Sequence, residues 1–404
     1  MIIKELTIDE FNNFSKNHPL SSFYQTHEYA MVMAEQGYNF DLIGYLDGEE
    51  IIAGGLILYK KLSGVNYGYC PRGFLIDYNN INLLESFTKK LRDYYYEKEF
   101  AFIKINPNVQ IGKINKENVL IRNENYKIKD SLHSLGYYKL KDNLYFESML
   151  PRYSPIIDLK HYNSSLLYKN TRNKIKKSIR KGLIFKKTDI SHISYLDLLV
   201  HSKNFYYNDL YNTFSKNDNA ELFIVYIDKN KFLENSQNSY IVESENNHLL
   251  NDKMVKVSHT KNINKKMNSD EALLAYKKDV NDAINLSKHK ENILVAAALV
   301  IKNNNTVNIV TSGYDKNYKR FAPNYFLHYN IIKYYQKKVD FININGVCGD
   351  LSETSPYKGL NDFKLGFSPQ LFENIGEFDL IISDSAYKYL LKNKSIQKEF
   401  SKKL

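Results

Sequence analysis

A short internal repeat is the feature that most limits how this chain can fold. The stretch YYEKEFAFIKIN at 95–106 and the stretch YYQKKVDFININ at 334–345 agree at seven of twelve positions without a gap. Upstream of them, IAGGLIL at 52–58 has a counterpart in VAAALVI at 295–301. Two matches in the same order predict a duplication, with two α/β domains that each contain strands, a helix and a further strand. Coincidence from biased composition is the alternative.

The length also favours two domains, and the second one is interrupted. A chain of 404 residues exceeds what one hydrophobic core usually organises. We expect a first domain at 1–150 and a second at 151–404, with a helical coiled-coil arm inserted at about 229–292. This insertion lacks proline and glycine, and apolar residues recur at coiled-coil spacing in its second half. The arm is either a surface for a large partner or a solvated hairpin. Its seam residues are Leu273, Tyr276, Val280 and Ala283.

Local patterns place several elements in the first domain. Thr7 and Glu10 form a capping-box pattern, which predicts a helix from about residue 8. Alternating apolar residues predict strands at 40–46 and 51–60. Helical spacing of apolar residues predicts a helix at 81–98, and the apolar run that follows predicts a buried strand at 100–105.

Charge and cysteine content narrow the class of protein. A net charge of +11 favours a polyanionic partner such as nucleic acid, a nucleotide-linked substrate or an anionic membrane face. An AT-rich genome would give the same excess of Lys, Asn, Ile and Tyr. Cys70 and Cys348 are too few for a disulfide framework, which is typical of a reducing compartment. The N-terminus lacks a signal-peptide pattern, and the longest apolar run, 293–301, is too short to span a bilayer. We therefore expect a cytoplasmic protein.

A basic segment at 169–182 is a candidate phosphate-binding surface. On a helix, Arg172, Lys176 and Arg180 fall at i, i+4 and i+8 and form one basic stripe, while Ile175 and Ile179 face the protein. Such stripes attract phosphates. The alternative is that the stripe is only a solvated helix face.

The stretch YCPRGFLID at 69–77 carries a second candidate residue. Proline and glycine set a tight turn that would project Arg72 from the end of a sheet, where ligands of α/β domains often bind. A structural salt bridge between Arg72 and Asp77 is an equally good explanation.

The segment at 345–367 contains the third candidate, Lys364. It follows a predicted strand at 341–345, and its glycines would let the backbone approach a ligand closely. If Phe363 and Lys364 lie in a strand, they point to opposite faces, so a buried phenylalanine would anchor a lysine that is aimed into a cleft. Such a cation stabilises an oxyanion. A surface lysine beside a core phenylalanine is the alternative. The glycines in question are Gly346, Gly349 and Gly359.

Familiar hydrolytic and metal-binding patterns are missing from the sequence. It contains no G-x-S-x-G elbow, no H-E-x-x-H helix and no clustered Cys/His set, and its ten histidines are scattered. Hydrolytic and metal chemistry are therefore disfavoured, and we expect no metal site.

Taken together, these segments resemble the Fem aminoacyltransferases, which build the interpeptide bridge of peptidoglycan. The similar stretches occur in the family's order and run through most of the chain. They are FYQTHEYA (23–30), YCPRGFLID (69–77), FIKINP (102–107), PRYSPIIDL (151–159), TRNKIKKSIRKG (171–182) and GLNDFKLGFSPQLFENIGEFDL (359–380).

The resemblance implies a fold and a reaction. The fold is two tandem domains of the acetyltransferase-like (GNAT) type with an arm inserted in the second. The reaction passes the amino-acyl group of an aminoacyl-tRNA to an amine of a peptidoglycan precursor, either lipid II or UDP-MurNAc-pentapeptide. It implies no acetyl-CoA or other cofactor. It also implies work near the inner face of the membrane, where peripheral association is expected.

The resemblance further implies roles for individual residues. Lys364 matches the lysine of the family's "F-K" pair, which is thought to stabilise the oxyanion, and Phe363 is its neighbour. Arg72, Asn106 and Tyr314 are expected to line the substrate cleft. The stripe of Arg172, Lys176 and Arg180 is expected to contact RNA, together with the arm.

The chain departs from the family pattern at four positions. Tyr29 stands for a usual tryptophan, Asn106 for an aspartate, and Met33 for a lysine that contacts substrate in some members. The "T-x-x-R-x-x-F" segment survives only as Thr213 and Lys216, the latter being the candidate substrate contact there. These changes predict that the protein binds the precursor in a different way or uses a different acceptor.

Two rival functions keep the fold. One is a non-catalytic Fem homologue that binds tRNA or a cell-wall precursor, which the changes at Asn106 and Lys216 would suit. The other is an ordinary acyl-CoA N-acyltransferase, which binding of CoA thioesters would reveal.

Overall fold

The computed structural model describes residues 1–115, 117–139, 142, 144, 149–202, 205–256 and 260–401. Across these ranges the chain forms a mixed α/β structure. Its strands are β1 (Ile2–Glu5), β2 (Asn39–Asp47), β3 (Glu50–Leu62), β4 (Val65–Cys70), β5 (Phe100–Ile105), β6 (Gln110–Ile114), β7 (Leu120–Arg122), β8 (Tyr137–Lys139), β9 (Tyr153–Asp158), β10 (Leu183–Thr188), β11 (Ala220–Ile227), β12 (Ile293–Asn303), β13 (Thr306–Tyr314), β14 (Phe341–Asn343), β15 (Gln370–Asn374) and β16 (Phe378–Ile381). Its helices are α1 (Ile8–Asn17), α2 (His27–Glu35), α3 (Ile81–Glu97), α4 (Ile128–Ser134), α5 (Lys169–Arg180), α6 (Ile193–Val200), α7 (Tyr206–Ser215), α8 (Lys229–Lys256), α9 (Thr260–Ser287), α10 (Pro323–Tyr335), α11 (Lys358–Leu365), α12 (Asp384–Lys392) and α13 (Ser395–Ser401).

The strands form two sheets that repeat one arrangement. Within the described ranges the first sheet has the order β1-β2-β3-β4-β5-β16-β8, and the second has the order β10-β11-β12-β13-β14-β9-β15-β6-β7. In each sheet four antiparallel strands lead through a helix, α3 or α10, to a fifth strand that pairs in parallel with the fourth. The duplicated sequences occupy equivalent places, since 52–58 lies in β3 and 295–301 lies in β12. The predicted duplication into two α/β units is confirmed.

Each sheet contains strands from the other half of the chain. β16 joins the first sheet by pairing with β5, while β6 and β7 join the second sheet through β15. A buried ion pair secures the first crossing: Lys104 of β5 lies 2.7 Å from Asp379 of β16, and the Tyr387 hydroxyl also donates to Asp379 at 2.9 Å. The predicted boundary at residue 150 stays a prediction, and the sheets take strands from both sides of it.

Hydrophobic cores lie on both faces of the sheets. One core packs α3 against the first sheet, and a second packs α10 against the second sheet. A third core lies between the sheets, where helices α1, α2, α6 and α7 cover residues such as Leu58 of β3 and Leu299 of β12. The two halves are therefore joined by apolar packing as well as by shared strands.

The local predictions in the first half are confirmed. Helix α1 begins after Thr7, which accepts the N–H of Glu10 while the Glu10 carboxylate accepts the N–H of Thr7. Helix α3 buries Leu84, Phe87 and Leu91 on one face, as its helical spacing requires. Strand β5 is buried along its whole length, which suits a continuous apolar run.

The insertion forms the predicted pair of antiparallel helices, α8 and α9. Asn247 of α8 donates hydrogen bonds to Ser269 and Asp270 of α9. The predicted seam is confirmed, because Ala283 is fully buried and the other three seam residues are partly buried. Phe232 at the start of α8 joins the core of the second sheet and fixes the base of the arm. In the part of the chain that the structure describes, no helix combines the length and apolar character needed to cross a membrane.

Candidate active site

The second sheet opens between β13 and β14, and this opening forms a cavity. The two strands pair only over residues 306–308 and 341–343, although β13 continues to Tyr314. In the first sheet, the equivalent strands β4 and β5 stay paired from Asn66 to Cys70. The repeat is thus open in its second copy, where a cavity of about 390 Å³ lies between the diverging chains. We call it the lysine cavity; it is lined by Ile309, Thr311, Ser312, Gly313, Tyr314, Asn324, Ile344, Asn345, Gly359, Leu360, Phe363 and Lys364.

Lys364 lies on a helix that borders this opening. The predicted strand around residues 363 and 364 is wrong, since both belong to α11. Phe363 and Phe367 are four residues apart and share the buried face, while the adjacent Lys364 is rotated by about 100° toward the cavity. The predicted arrangement of a buried phenylalanine beside a lysine that faces a cleft is therefore reached by helical rather than strand geometry.

Within the described residues, the amine of Lys364 is held by one backbone oxygen. Its Nζ donates to the carbonyl of Gly346 at 2.7 Å, and the residue as a whole is partly exposed. Burial of the amine lowers the pKa of Lys364 to about 7. An ammonium carries three donors, so it can hold Gly346 and also donate to a negatively charged substrate oxygen.

A buried aromatic group supports the helix from behind. The Phe363 ring lies edge-on to the rings of Tyr325 and His328, at centroid distances of 4.9 and 4.8 Å. Burial, and then the charge of Lys364, lower the pKa of His328 to about 3. His328 is therefore uncharged near neutral pH, and Lys364 is the residue of this cluster that titrates there.

The glycines of the 345–367 segment serve two purposes. A Cβ on Gly346 would lie 2.1 Å from Cβ of Pro151, and one on Gly349 would lie 2.1 Å from Cε2 of Tyr153. These two glycines therefore let the segment pack against the chain itself. The prediction that they allow close approach of the backbone to a ligand is wrong for Gly346 and Gly349. Gly359 has open space at its Cβ position and lines the lysine cavity.

Arg72 and Asn106 lie together at the ends of β4 and β5. The Oδ1 of Asn106 accepts the backbone N–H of Arg72 at 2.8 Å and the hydroxyl of Tyr69 at 3.3 Å. The guanidinium of Arg72 reaches the second half of the chain and donates to the carbonyl of Pro151 at 2.8 Å. Because Pro151 also packs against Gly346, one short contact path connects Arg72 with the oxygen that holds Lys364.

A second cavity adjoins the lysine cavity and contains Arg72. Its volume is about 550 Å³, and it shares Ile309 and Asn345 with the lysine cavity. The remaining predicted contacts, Tyr314 and Lys216, lie in different environments. Tyr314 lines the lysine cavity with Phe363. Lys216 is exposed just after α7 and lines neither cavity.

The basic stripe on α5 divides into two parts. Arg172 and Lys176 are exposed, as expected for RNA-binding candidates. Arg180 instead packs its guanidinium 4.7 Å from the ring of Tyr276 on the arm. Ile179 was expected to face inward but is 51% exposed, because Ser178 occupies the buried position and donates to the carbonyl of Phe321 at 2.8 Å.

Sequence reasoning missed the residue that fastens α5 to the arm. Lys181 is buried, and its amine lies 2.6 Å from Asp279 of α9 and 4.7 Å from the ring centre of Phe321. It also missed Asn345 as the wall between the two cavities. Asn345 has a left-handed φ of 67°, a conformation for which asparagine directly before Gly346 is a usable signal.

Comparisons with known proteins match nearly the whole chain. The family model described as the FemAB family matches residues 6–393. Aminoacyltransferase FemA of Staphylococcus epidermidis is 26% identical over 98% of this chain and 100% of its own length. The lipid II:glycine glycyltransferase of Staphylococcus saprophyticus is 22% identical over 95% of this chain and 94% of its own.

Solved structures give the same answer for the fold. The crystal structure of FemX has a TM-score of 0.72 and 20% identity, covering 96% of this chain and 100% of that one. A tandem GNAT protein from the clavulanic acid biosynthesis pathway has a TM-score of 0.51 and 7% identity, covering 94% and 98%. The chain therefore belongs to the FemAB family and is an aminoacyltransferase with a tandem GNAT-like fold.

Proposed function

We propose that this enzyme transfers the amino-acyl group of an aminoacyl-tRNA to an amine of a peptidoglycan precursor. The observation that carries the proposal is the lysine in the open sheet: the Lys364 amine lies beside the divergence of β13 and β14, 2.7 Å from the Gly346 oxygen. Support comes from the relatives, which are named as aminoacyltransferase FemA and as a lipid II:glycine glycyltransferase.

The chemistry needs one stabilised charge and one proton transfer. The acceptor amine attacks the ester carbonyl carbon, and the carbonyl oxygen gains the negative charge of a tetrahedral intermediate. Collapse breaks the bond to the ribose oxygen of the tRNA, which leaves with a proton that originates from the amine. In this proposal protonated Lys364 donates to the oxyanion, and the interaction is stronger in the transition state than in the bound ester.

The donor side of the proposal uses the exposed basic helix. Arg172 and Lys176 are solvent-accessible on α5 and suit contacts with RNA phosphates. Arg180 is proposed to act less directly, because its guanidinium packs on the arm at Tyr276. Through Arg180 and the buried pair of Lys181 and Asp279, the basic helix and the arm are held together as one surface for the tRNA.

The acceptor side uses the residues around Arg72. We propose that Arg72, Asn106, Tyr314 and Phe363 form or support the acceptor and transfer sites, and that Lys216 contacts a more distant part of the precursor from the surface. The acceptor is lipid II or UDP-MurNAc-pentapeptide. The proposed location is the cytoplasm, with peripheral association at the inner face of the membrane favoured by the net charge of +11.

A transfer assay tests this proposal. Radiolabelled amino acids from a mixed aminoacyl-tRNA pool are offered with lipid II or with UDP-MurNAc-pentapeptide, with and without ribonuclease. We expect ribonuclease-sensitive labelling of one acceptor, which also identifies the amino acid. Labelling of neither acceptor while tRNA still binds would contradict the proposal and favour a non-catalytic binding role.

A further inference from the structure

The cavity that contains Arg72 has an unusual lining. Nine of its 26 lining residues carry a carboxamide side chain, eight as asparagine and one as glutamine. Among the described lining residues, the acidic and basic side chains are one aspartate, Asp340, one arginine, Arg72, and His18. Burial lowers the pKa of His18 and raises that of Tyr24 to about 12, so both are uncharged near neutral pH. We call this space the amide cavity.

The floor of the amide cavity is one face of the second sheet. Asn308 of β13 lies opposite Asn343 of β14, and Asn343 lies opposite Ile156 of β9. The alternate residues Val307 and Ile342 point to the other face and are fully buried in the core. One face of the same strands is thus an apolar core, while the other presents amides to a space large enough for a ligand.

Carboxamides on such a face need hydrogen-bonding partners. Several of the asparagines find a partner for their N–H groups within the protein. Asn374 Nδ2 donates to Ser154 Oγ and to the Arg152 carbonyl, each at 2.9 Å. Asn303, Asn304 and Asn305 donate to Ser21 Oγ, the Lys16 carbonyl and Asp340 at 3.4, 2.9 and 3.2 Å. Where the N–H groups are engaged in this way, the carboxamide oxygen remains as an acceptor, which matches the N–H donors of peptide groups and other amides better than it matches a free carboxylate.

Asn345 forms the wall that the amide cavity shares with the lysine cavity. Its Nδ2 donates to the carbonyl of Val310 at 2.8 Å, just beyond the last paired residues of β13 and β14. Its Oδ1 accepts the N–H of Gly346 at 2.7 Å, and the carbonyl of Gly346 holds Lys364. The side chain of Asn345 therefore separates a ligand in the amide cavity from Lys364.

We propose that the amide cavity binds the uncharged peptide part of the amine acceptor, with its nucleophilic amine directed past Asn345. This inference rests on the proposed transfer and adds a preference to it. An acceptor peptide whose side carboxyl group is a carboxamide should bind more tightly than one with a free carboxylate. Arg72 supplies one cationic group, which suits a single terminal carboxylate.

Binding of synthetic peptides to the full chain tests the site separately from turnover. The probes are two pentapeptides with one side-chain amine and one terminal carboxylate, which differ only in a side carboxamide or carboxylate. Calorimetry should give an affinity for the carboxamide form that is at least about tenfold higher. Equal affinities, or no binding of either probe, would overturn the inference.

Variants assign the binding to this cavity. Asn308→Asp adds a charge to the floor and should weaken the carboxamide probe by about tenfold or more, whereas Asn393→Asp changes an exposed asparagine after α12 and should have no effect. Asn308→Ser removes the carboxamide without a charge and should give a smaller loss if the aspartate variant folds poorly. Unchanged affinity in both folded variants at residue 308 would contradict the assignment. If the full chain binds the carboxamide peptide tightly but labels no precursor in the transfer assay, the proposed function is refuted while the peptide site in the amide cavity stands.

Discussion

Lys364 and Pro151 both contact Gly346. The amine of Lys364 donates to the Gly346 carbonyl at 2.7 Å, while the Cα of Gly346 packs so closely on Pro151 that no Cβ fits between them. The carbonyl of Pro151 in turn accepts the guanidinium of Arg72 at 2.8 Å. The cation proposed for catalysis and the cation of the acceptor cavity are thus each held by a backbone carbonyl, and the two residues that supply these carbonyls pack against each other.

This contact predicts the effect of Gly346→Ala. The new methyl group would lie 2.1 Å from Pro151 Cβ, so the segment must shift and carry the oxygen that holds Lys364 with it. We expect the free energy of unfolding to fall by about 1–3 kcal/mol. Thermal unfolding measures this, and Gly359→Ala is the matched control because nothing lies within 4 Å of its Cβ position. Equal stability of the two variants would refute the close packing.

Lys364 should lower the free energy of unfolding although the transfer reaction requires it. Burial lowers its pKa from 10.5 to about 7, so the folded state disfavours the charged amine. Lys364→Met should raise the free energy of unfolding by about 1–2 kcal/mol near pH 7 and abolish transfer. Between pH 7 and 10.5 the unfolded chain binds a proton that the folded chain does not, so wild-type stability rises with pH and the advantage of the variant shrinks. Denaturant unfolding from pH 6 to pH 10 checks this trend; a gap that widens with pH would contradict it.

The same titration predicts a pH profile for transfer. Stabilisation of the oxyanion needs protonated Lys364, so the rate should fall as pH rises through about 7. An acceptor analogue with a weakly basic amine removes the titration of the acceptor from the measurement. Lys364→Arg, which stays charged throughout this range, should lose the descending limb even if its rate is low. A wild-type rate that increases through pH 7 would instead indicate that neutral Lys364 acts as a base.

Asn106 should be required for the position of Arg72. Asn106→Ala removes the oxygen that accepts the Arg72 N–H and the Tyr69 hydroxyl, leaving a polar group in this buried region unpaired. We expect a loss of about 1–3 kcal/mol in the free energy of unfolding and a higher KM for the acceptor. Asn106→Asp keeps an accepting oxygen and should retain more activity. If alanine and aspartate at residue 106 gave the same KM, the positioning role would fail.

The two parts of the basic stripe should behave differently. Arg172→Ala and Lys176→Ala should each weaken tRNA binding and reduce the slope of log K against log salt by about 1. Arg180→Ala should mainly loosen the arm, because it removes the contact with Tyr276. Binding titrations at several salt concentrations, with unfolding curves for each variant, separate these effects. A full salt-slope change in Arg180→Ala without loss of stability would place Arg180 on the RNA instead.

Local sequence patterns were enough to predict much of the fold. The capping box of Thr7 and Glu10 and the seam of the arm depend on residues close together in the chain, and the repeat is recognised by comparing two short stretches. The exchange of β6, β7 and β16 between the sheets depends on pairing between distant segments, which periodicity does not encode. The domain division at residue 150 stays a prediction for the same reason.

The candidate site was predictable only in its individual residues. Lys364 and Arg72 stand in recognisable segments, but the helix around Lys364 follows from packing of Phe363 and Phe367 that the strand interpretation overlooked. The amide cavity escaped notice because its asparagines come from separate loops and strands, and only the two sheets bring them together. The roles of Lys364, Arg72 and the asparagines of the amide cavity as substrate contacts remain predictions.

Single-turnover transfer from a purified aminoacyl-tRNA to the labelled acceptor tests the central claim most directly. Wild type, Lys364→Met and Lys358→Met are compared, since Lys358 is a partly exposed lysine at the start of the same helix that lines neither cavity. We predict a loss of about a hundredfold or more in Lys364→Met with donor binding intact, and little change in Lys358→Met. Equal rate constants for all three proteins would show that Lys364 does not stabilise the transition state.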